Sequence, residues 1–286
     1  MTQTATSHLV QKAERLRALH HGDRLLLLPN IWDPGGARML ESLGYPAVAT
    51  ASAAVAYSLG YDDGQQITLD AMLDVVGRVA ASVNVPVTAD MEAGYAQLPR
   101  DVAENMRRVL RAGAVGINLE DSSREGEVLF DVGFQCERIQ AVREMAQEEG
   151  VPLVINARTD VYLPRVTMAE NERFDQALQR AKAYLEAGAD CFYPIMLGDL
   201  ETLKKLYEAI RAPINVFAPT CRATLRELED VGIARLSLGL GLMRASLTRM
   251  RKIAVELQNY GSFDSFTRDM ITNDEIRAYL SKEPMQ

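Results

Sequence analysis

Short apolar runs that end in small or polar residues alternate with helix-length amphipathic segments along almost the whole chain. This alternation restricts the fold more than any other feature. The first run is at residues 25–28; Pro34 then opens a helical segment carrying Met39, Leu40 and Leu43, and Gly44 stops it. Further strand-like runs follow at 47–52, from 87 onward, and at 115–120, 153–158, 191–196, 214–218 and 234–238. Helices are predicted between them, the last over about 242–258. Strands this continuously apolar are covered on both faces, as in parallel sheets crossed by helices. Eight units of roughly 30 residues suit a closed (β/α)8 barrel of TIM type, which takes about 250 residues. A doubly wound open sheet uses the same alternation and stands as the alternative. A helix over about 7–20 precedes the barrel, and no charged or Pro/Gly-rich linker interrupts it. The expectation is one domain over 1–286, with the barrel at about 24–258 and a tail at about 261–286.

Composition narrows the function classes. A chain of 286 residues with 48% hydrophobic side chains can bury a full core. A formal charge of −8 with no basic run argues against nucleic-acid or anionic-membrane partners, since both demand patches that neutralise phosphate. Cys136, Cys191 and Cys221 are odd in number and far apart, which fits a reducing compartment and argues against a thiolate zinc site. Neither a signal-type apolar core nor a membrane-spanning run is present, so a soluble cytoplasmic protein is expected.

In a barrel of this type the working residues lie at the C-terminal ends of the strands. The stretch Val87-Thr-Ala-Asp-Met-Glu-Ala-Gly-Tyr95 reads as a strand ending in Asp90 and Glu92, two residues apart and so on one face. The second strand ends in Ser52 and leads to Asp62, the fourth in Glu120 and Asp121, the fifth in Asn156 and Arg158. Two carboxylates about 5 Å apart repel by roughly 3 kcal/mol at an effective dielectric near 20, so such a group calls for protons or a cation. Magnesium suits an all-oxygen shell. Zinc suits it less, because His8, His20 and His21 all precede the first strand. Arg158 can grip a substrate carboxylate with two prongs, and a cation beside it would polarise a keto oxygen. Together these point to a small 2-oxo acid, or a precursor of one, whose enolate is stabilised as a bond breaks. Asp121 and Asp160 read more simply as helix-start or loop-bridging acids, and Trp32 as packing. The Gly239-Leu-Gly241 turn reads as a tight strand-to-helix turn, with a phosphate cradle as the rival.

The motifs Asp90-Met-Glu-Ala-Gly-Tyr95, Leu119-Glu-Asp121 and Ala157-Arg158, with Leu59-Gly-Tyr-Asp62 upstream, resemble those of the isocitrate lyase and phosphoenolpyruvate mutase superfamily over about residues 24–250. The resemblance implies a magnesium-dependent barrel, with manganese as the other candidate ion. Asp90 would be the carboxylate closest to the metal, and Asp62, Glu92 and Glu120 would act mainly through its waters. Arg158 would bind the substrate carboxylate and, with Glu120, belong to the catalytic set. Ser52 and Ala53 would fall in a small-residue loop whose backbone N–H groups meet the oxo-acid end, with Asn156 a further candidate for substrate contact. The resemblance also implies a homo-oligomer, a dimer of dimers that exchange the last barrel helix. The loop after Asp121, Ser122-Ser-Arg-Glu-Gly-Glu-Val-Leu-Phe130, has neither the lyases' Lys-Lys-Cys-Gly-His-type lid nor the mutases' lysine and asparagine lid. The expected activity is therefore a lyase or hydrolase acting on a C–C or C–P bond, with the proton donor unassigned. A non-catalytic 2-oxo acid sensor or assembly subunit on the same fold is the alternative.

Overall fold

The computed structural model describes residues 3–122 and 128–281. Helix α1 (Gln3–Leu19) lies across the N-terminal ends of the strands. Lys12 Nζ donates to Val83 O at 3.1 Å, Arg17 Nη2 to Pro152 O at 3.4 Å, and Arg17 Nε pairs with Asp190 at 3.0 Å. Its Leu16 comes so close to Gly116 that a Cβ there would stand 2.6 Å from the leucine, which is why the strand beginning at residue 116 opens on glycine.

Strands β1 (Leu26–Leu28) and β2 (Asn30–Ile31) form one run broken at Pro29, which has no N–H for a ladder. Helix α2 (Pro34–Ser42) follows, its first turn capped by Asp33 Oδ1 accepting from Gly36 N at 2.7 Å. The alternation continues through β3 (Val48–Thr50), α3 (Ser52–Ser58), α4 (Leu69–Ser82), β4 (Val87–Asp90), α5 (Pro99–Ala112) and β5 (Gly116–Glu120). Then come α6 (Val132–Glu148), β6 (Val154–Thr159), α7 (Glu170–Glu186), β7 (Cys191–Pro194), α8 (Leu200–Ile210), β8 (Asn215–Phe217), α9 (Leu225–Val231), β9 (Arg235–Ser237) and α10 (Gly241–Tyr260).

Every ladder is parallel. Hydrogen bonding runs in the order β2-β3-β4-β5-β6-β7 in one sheet and β1-β9-β8 in the other. The sheets are joined at Pro29 and by a single parallel bridge between Phe192 and Ile214, which gives the cyclic strand order of an eight-unit barrel. The strand residues are almost wholly buried, and helices α4 to α8 bury apolar stripes against them.

Two expectations need correction. The small-residue stretch beginning at Ser52 is not a loop: Ser52 to Ser58 coil into α3, because alanine-rich segments favour helix. The strand ends at Asp90, and Glu92 takes a left-handed backbone with φ +50°, so Asp90 and Glu92 do not share a strand face. The tail contains two further helices, α11 (Asp264–Thr267) and α12 (Asn273–Leu280), and Arg38 of α2 ties the second down by donating to Tyr279 O at 3.2 Å. Helix α10 is unlike the other long barrel helices: Met243 is buried, but Leu247, Met250, Leu257 and Tyr260 face solvent.

Candidate active site

Asp90 stands at the end of β4 with both carboxylate oxygens engaged from opposite sides. Ser52 N and Ser52 Oγ donate to Oδ2 at 3.1 and 2.9 Å, and Asn118 Nδ2 donates to Oδ1 at 3.3 Å. The Asp90 backbone N–H donates to Thr50 Oγ1 at 3.0 Å. Ser52 thus acts from the first turn of α3, with Ala53 next to it at a position where a helical N–H has no intrahelical acceptor.

Glu92 is buried, and its left-handed backbone turns it back toward the mouth. Gln65 N donates to its Oε2 at 2.7 Å and Tyr95 OH to its Oε1 at 3.4 Å. Burial first, then the charges of Asp63 and Asp90, push its carboxyl up to about 8. Asp63 is itself raised, by desolvation on its packed side and then by Asp90. Sequence reasoning had chosen Asp62 here. Both aspartates are exposed; Asp62 accepts from Asp63 N at 2.8 Å and neighbours Tyr57, while Asp63 is the one close enough to Asp90 and Glu92 for their charges to act on each other. The two aspartates are adjacent in Tyr61-Asp-Asp-Gly64, and no periodicity extends into that turn to choose between them.

Glu120 and Arg158 are partners in register on β5 and β6, and Arg158 Nη1 donates to Glu120 Oε1. Burial raises the Glu120 carboxyl, and Arg158 opposes that shift. Arg158 Nε donates to Asp160 Oδ1 at 2.8 Å. Asp160 is fully buried and is held in turn by Ser122 Oγ at 2.6 Å and Arg165 at 3.1 Å. The guanidinium is thereby fixed along one edge, while its Nη2 makes no hydrogen bond among the described residues. Below it Asp121, also fully buried, accepts from Arg180 at 3.0 Å, Tyr184 OH at 2.8 Å and Asp160 N at 2.9 Å, a structural assignment that ties β5 to β6 and α7.

Asn156 has no exposed surface; its Nδ2 donates to Asn118 Oδ1 at 2.8 Å, one level beneath the mouth. Asn118, which no motif singled out, is the side chain that holds Asp90 Oδ1, opposite Ser52 on Oδ2. Tyr193 is also buried close enough to Arg158 and Asp90 to feel both charges. Cys136 lies half-buried in α6 with its thiol raised by burial, which does not suit a thiolate. The loop after Asp121, which lacks both lid motifs, falls partly on residues 123–127, outside the described residues. Its ends meet in an antiparallel bridge between Ser122 and Leu129. The phosphate-cradle reading of the Gly239 turn fails for a specific reason: Leu238 N and Gly239 N already donate to Asn30 Oδ1, at 2.9 and 2.8 Å.

Among the described residues no three acids, histidines or cysteines stand close enough to enclose one ion directly. What the mouth offers is one well-fixed carboxylate, Asp90, with Asp63, Glu92 and Glu120 around it. Magnesium commonly binds in this way, keeping several waters and attaching through one or two carboxylates.

The family model described as Phosphoenolpyruvate phosphomutase matches residues 16–258. The uncharacterized protein Rv1998c of Mycobacterium tuberculosis (strain ATCC 25618 / H37Rv) is 32% identical over 221 residues, 77% of this chain and 80% of the relative. The 2-methylisocitrate lyase of Aeropyrum pernix is 26% identical over 269 residues, 91% of this chain and 84% of the relative. A solved structure from Burkholderia cenocepacia J2315, provisionally a lyase or mutase, shares 33% identity at a TM-score of 0.88 and covers 96% of this chain and 97% of its own. Sequence and fold agree over nearly the whole length: the chain belongs to the phosphoenolpyruvate phosphomutase family, within the isocitrate lyase and phosphoenolpyruvate mutase superfamily.

Proposed function

We propose that this chain is a divalent-metal-dependent enzyme that breaks a C–C or C–P bond in a small 2-oxo acid, or its precursor, through an enolate. The observation that carries the reading is the convergence of Asp63, Asp90, Glu92 and Glu120 around one end of the strands, with Arg158 beside them. Burial first and neighbouring carboxylates next push up Asp63 and Glu92, and burial pushes up Glu120, which marks the cluster as short of positive charge. That is how an all-carboxylate site for a hard cation presents itself without the ion, so the residues fit magnesium or manganese. Asp90 would hold the metal, and Asp63, Glu92 and Glu120 would order its waters. The ion, when bound, polarises the keto oxygen and stabilises the enolate.

The chain's own residues supply the rest. Arg158, locked by Asp160 and Glu120, directs its open Nη2 edge at the substrate carboxylate. The first-turn N–H of Ala53 would meet the oxo-acid end, while Ser52 holds Asp90. Burial keeps water from the groups beneath Arg158, since Asp160, Asp121 and Asn156 have no exposed surface.

The test is to incubate the protein with magnesium and oxaloacetate, phosphonopyruvate, isocitrate, 2-methylisocitrate and related malate derivatives, and to assay pyruvate and glyoxylate. Turnover that is lost in Asp90→Ala without loss of fold supports the reading; an active Asp90→Ala rejects it. A second reading, a 2-oxo acid sensor, draws on the loop after Asp121, whose sequence contains no cysteine, histidine or lysine between residues 122 and 133. Tight binding of oxalate with magnesium, with no turnover across the panel, would favour it. The enzyme reading also puts the protein in the cytoplasm, to be checked by cell fractionation; among the described residues no helix is long and apolar enough to cross a membrane.

A further inference from the structure

Arg235 opens β9 with a fully buried side chain. It makes no ion pair among the described residues, and its Nη1 has no hydrogen-bond partner. Its bonds are to neutral groups: Nε donates to Ser237 Oγ at 3.3 Å and Nη2 to Asn118 Oδ1 at 3.2 Å. A buried guanidinium without a carboxylate is among the costlier arrangements a core can contain, so what it touches is informative. What it touches is four strands away in the ring order. The side chain reaches from β9 across the bore to β5.

Asn118 Oδ1 therefore receives two donors, Arg235 Nη2 at 3.2 Å and Asn156 Nδ2 at 2.8 Å. That fixes the amide's orientation, because the flipped form would set its NH2 against two other donors. With the oxygen held down, Nδ2 faces Asp90 Oδ1 at 3.3 Å. Ser52 holds Oδ2 from the other side. Arg235 is in turn steadied by Ser237, whose hydroxyl donates onward to Asn215 Oδ1 at 3.1 Å. The guanidinium lies close enough to Asp90 for that carboxylate's charge to act on it.

We propose that Arg235 is a positioning residue which, through the Asn118 amide, fixes the orientation of Asp90 and so sets the affinity of that carboxylate for a divalent cation. The proposal rests on the metal reading of Asp90. Groups that orient a metal ligand typically change affinity by about 10–100-fold when removed.

The experiment measures Mn2+ binding to the purified full chain by calorimetry and by the loss of the free-ion EPR signal, with thermal unfolding of each metal-free variant as the check on fold. Arg235→Met is expected to weaken Mn2+ by about 10–100-fold, with partial recovery in Arg235→Lys; Arg235→Gln replaces the methionine variant should that one not fold. Asn118→Ala is expected to show a loss of similar size, and the double variant no further loss, because the arginine acts through the amide. Folded Arg235→Met and Arg235→Gln variants at wild-type affinity overturn the proposal and leave the metal reading standing, as do losses that simply add in the double variant. A wild type that binds no Mn2+ overturns both.

Discussion

Glu92 offers a test of the metal site that needs no substrate. Its carboxyl is pushed up to about 8, by burial first and by Asp63 and Asp90 next. At pH 7 a group of that pKa is anionic in about one molecule in eleven, so a cation that requires the anion must release about 0.9 proton on binding. Apparent affinity should then fall about tenfold per pH unit below 8: roughly 11-fold weaker at pH 7 and about 100-fold weaker at pH 6 than the limiting value. Stability of the metal-free protein follows the opposite sign. The folded state keeps the proton longer than the unfolded chain, whose glutamate titrates near 4.5, so stability falls by about 1.4 kcal/mol per unit as pH rises from 4.5 to 8, then levels off. Calorimetry of magnesium binding in two buffers of different ionisation enthalpy measures the proton count directly, and Glu92→Gln should lower it by about 0.9. If magnesium binds with no proton release at pH 7, or with one affinity from pH 6 to 8, the raised carboxyl is not part of the metal site and the reasoning is wrong.

The remaining predictions concern neighbouring groups. Asp63→Asn should weaken magnesium by about 10–100-fold, whereas Asp62→Asn should leave it within about twofold; titration calorimetry on both variants decides which aspartate belongs to the site. Arg180→Met strands the fully buried Asp121 and frees Phe130 O, to which Arg180 Nη2 donates at 3.0 Å. That should cost about 3–5 kcal/mol, read as a drop on the order of 10 °C in melting temperature. Met250→Glu with Leu257→Glu places charge on the solvent-facing apolar side of α10 and should dissociate the dimer of dimers expected for this chain, observed as a fall in mass by light scattering.

Much of this architecture could be read along the chain, because parallel strands covered on both faces leave a signal that depends little on their neighbours. Residues 115–120 and 153–158 read as strands; β5 lies within those limits and β6 overruns them by one residue, at Thr159. Side-chain parity puts Asn156 on the same face as Arg158. The ladder then set Asn118 opposite Asn156 and Glu120 opposite Arg158. Parity failed just beyond β4, where it assumed an extended backbone. Glu92 is left-handed there, and a glutamate carries no sign of that in its identity. The stretch from Ser52 to Ser58 misled in another way: small residues suggested a loop, yet alanine is the strongest helix former, and the segment had enough length for two turns.

The part of the site that stayed hidden depends on distance along the chain. Asp90, Glu120 and Arg158 declare themselves because a charged residue at the end of an apolar strand is unusual and a barrel brings all such ends to one rim. Asp63 is hidden because a turn has no period, so adjacent aspartates are equivalent until the backbone is placed. Arg235 is hidden more deeply. In the run Arg235-Leu-Ser237 it looks like an arginine at the edge of a strand, which snorkels to solvent in most proteins. Its partner, Asn118, is 117 residues earlier and on the far side of the bore. Only a cylinder narrow enough for one side chain to cross makes them neighbours. A polar contact of that span is therefore itself an argument that the strands curl round a shared axis, and it links the fold to the orientation of the one carboxylate on which the proposed chemistry depends.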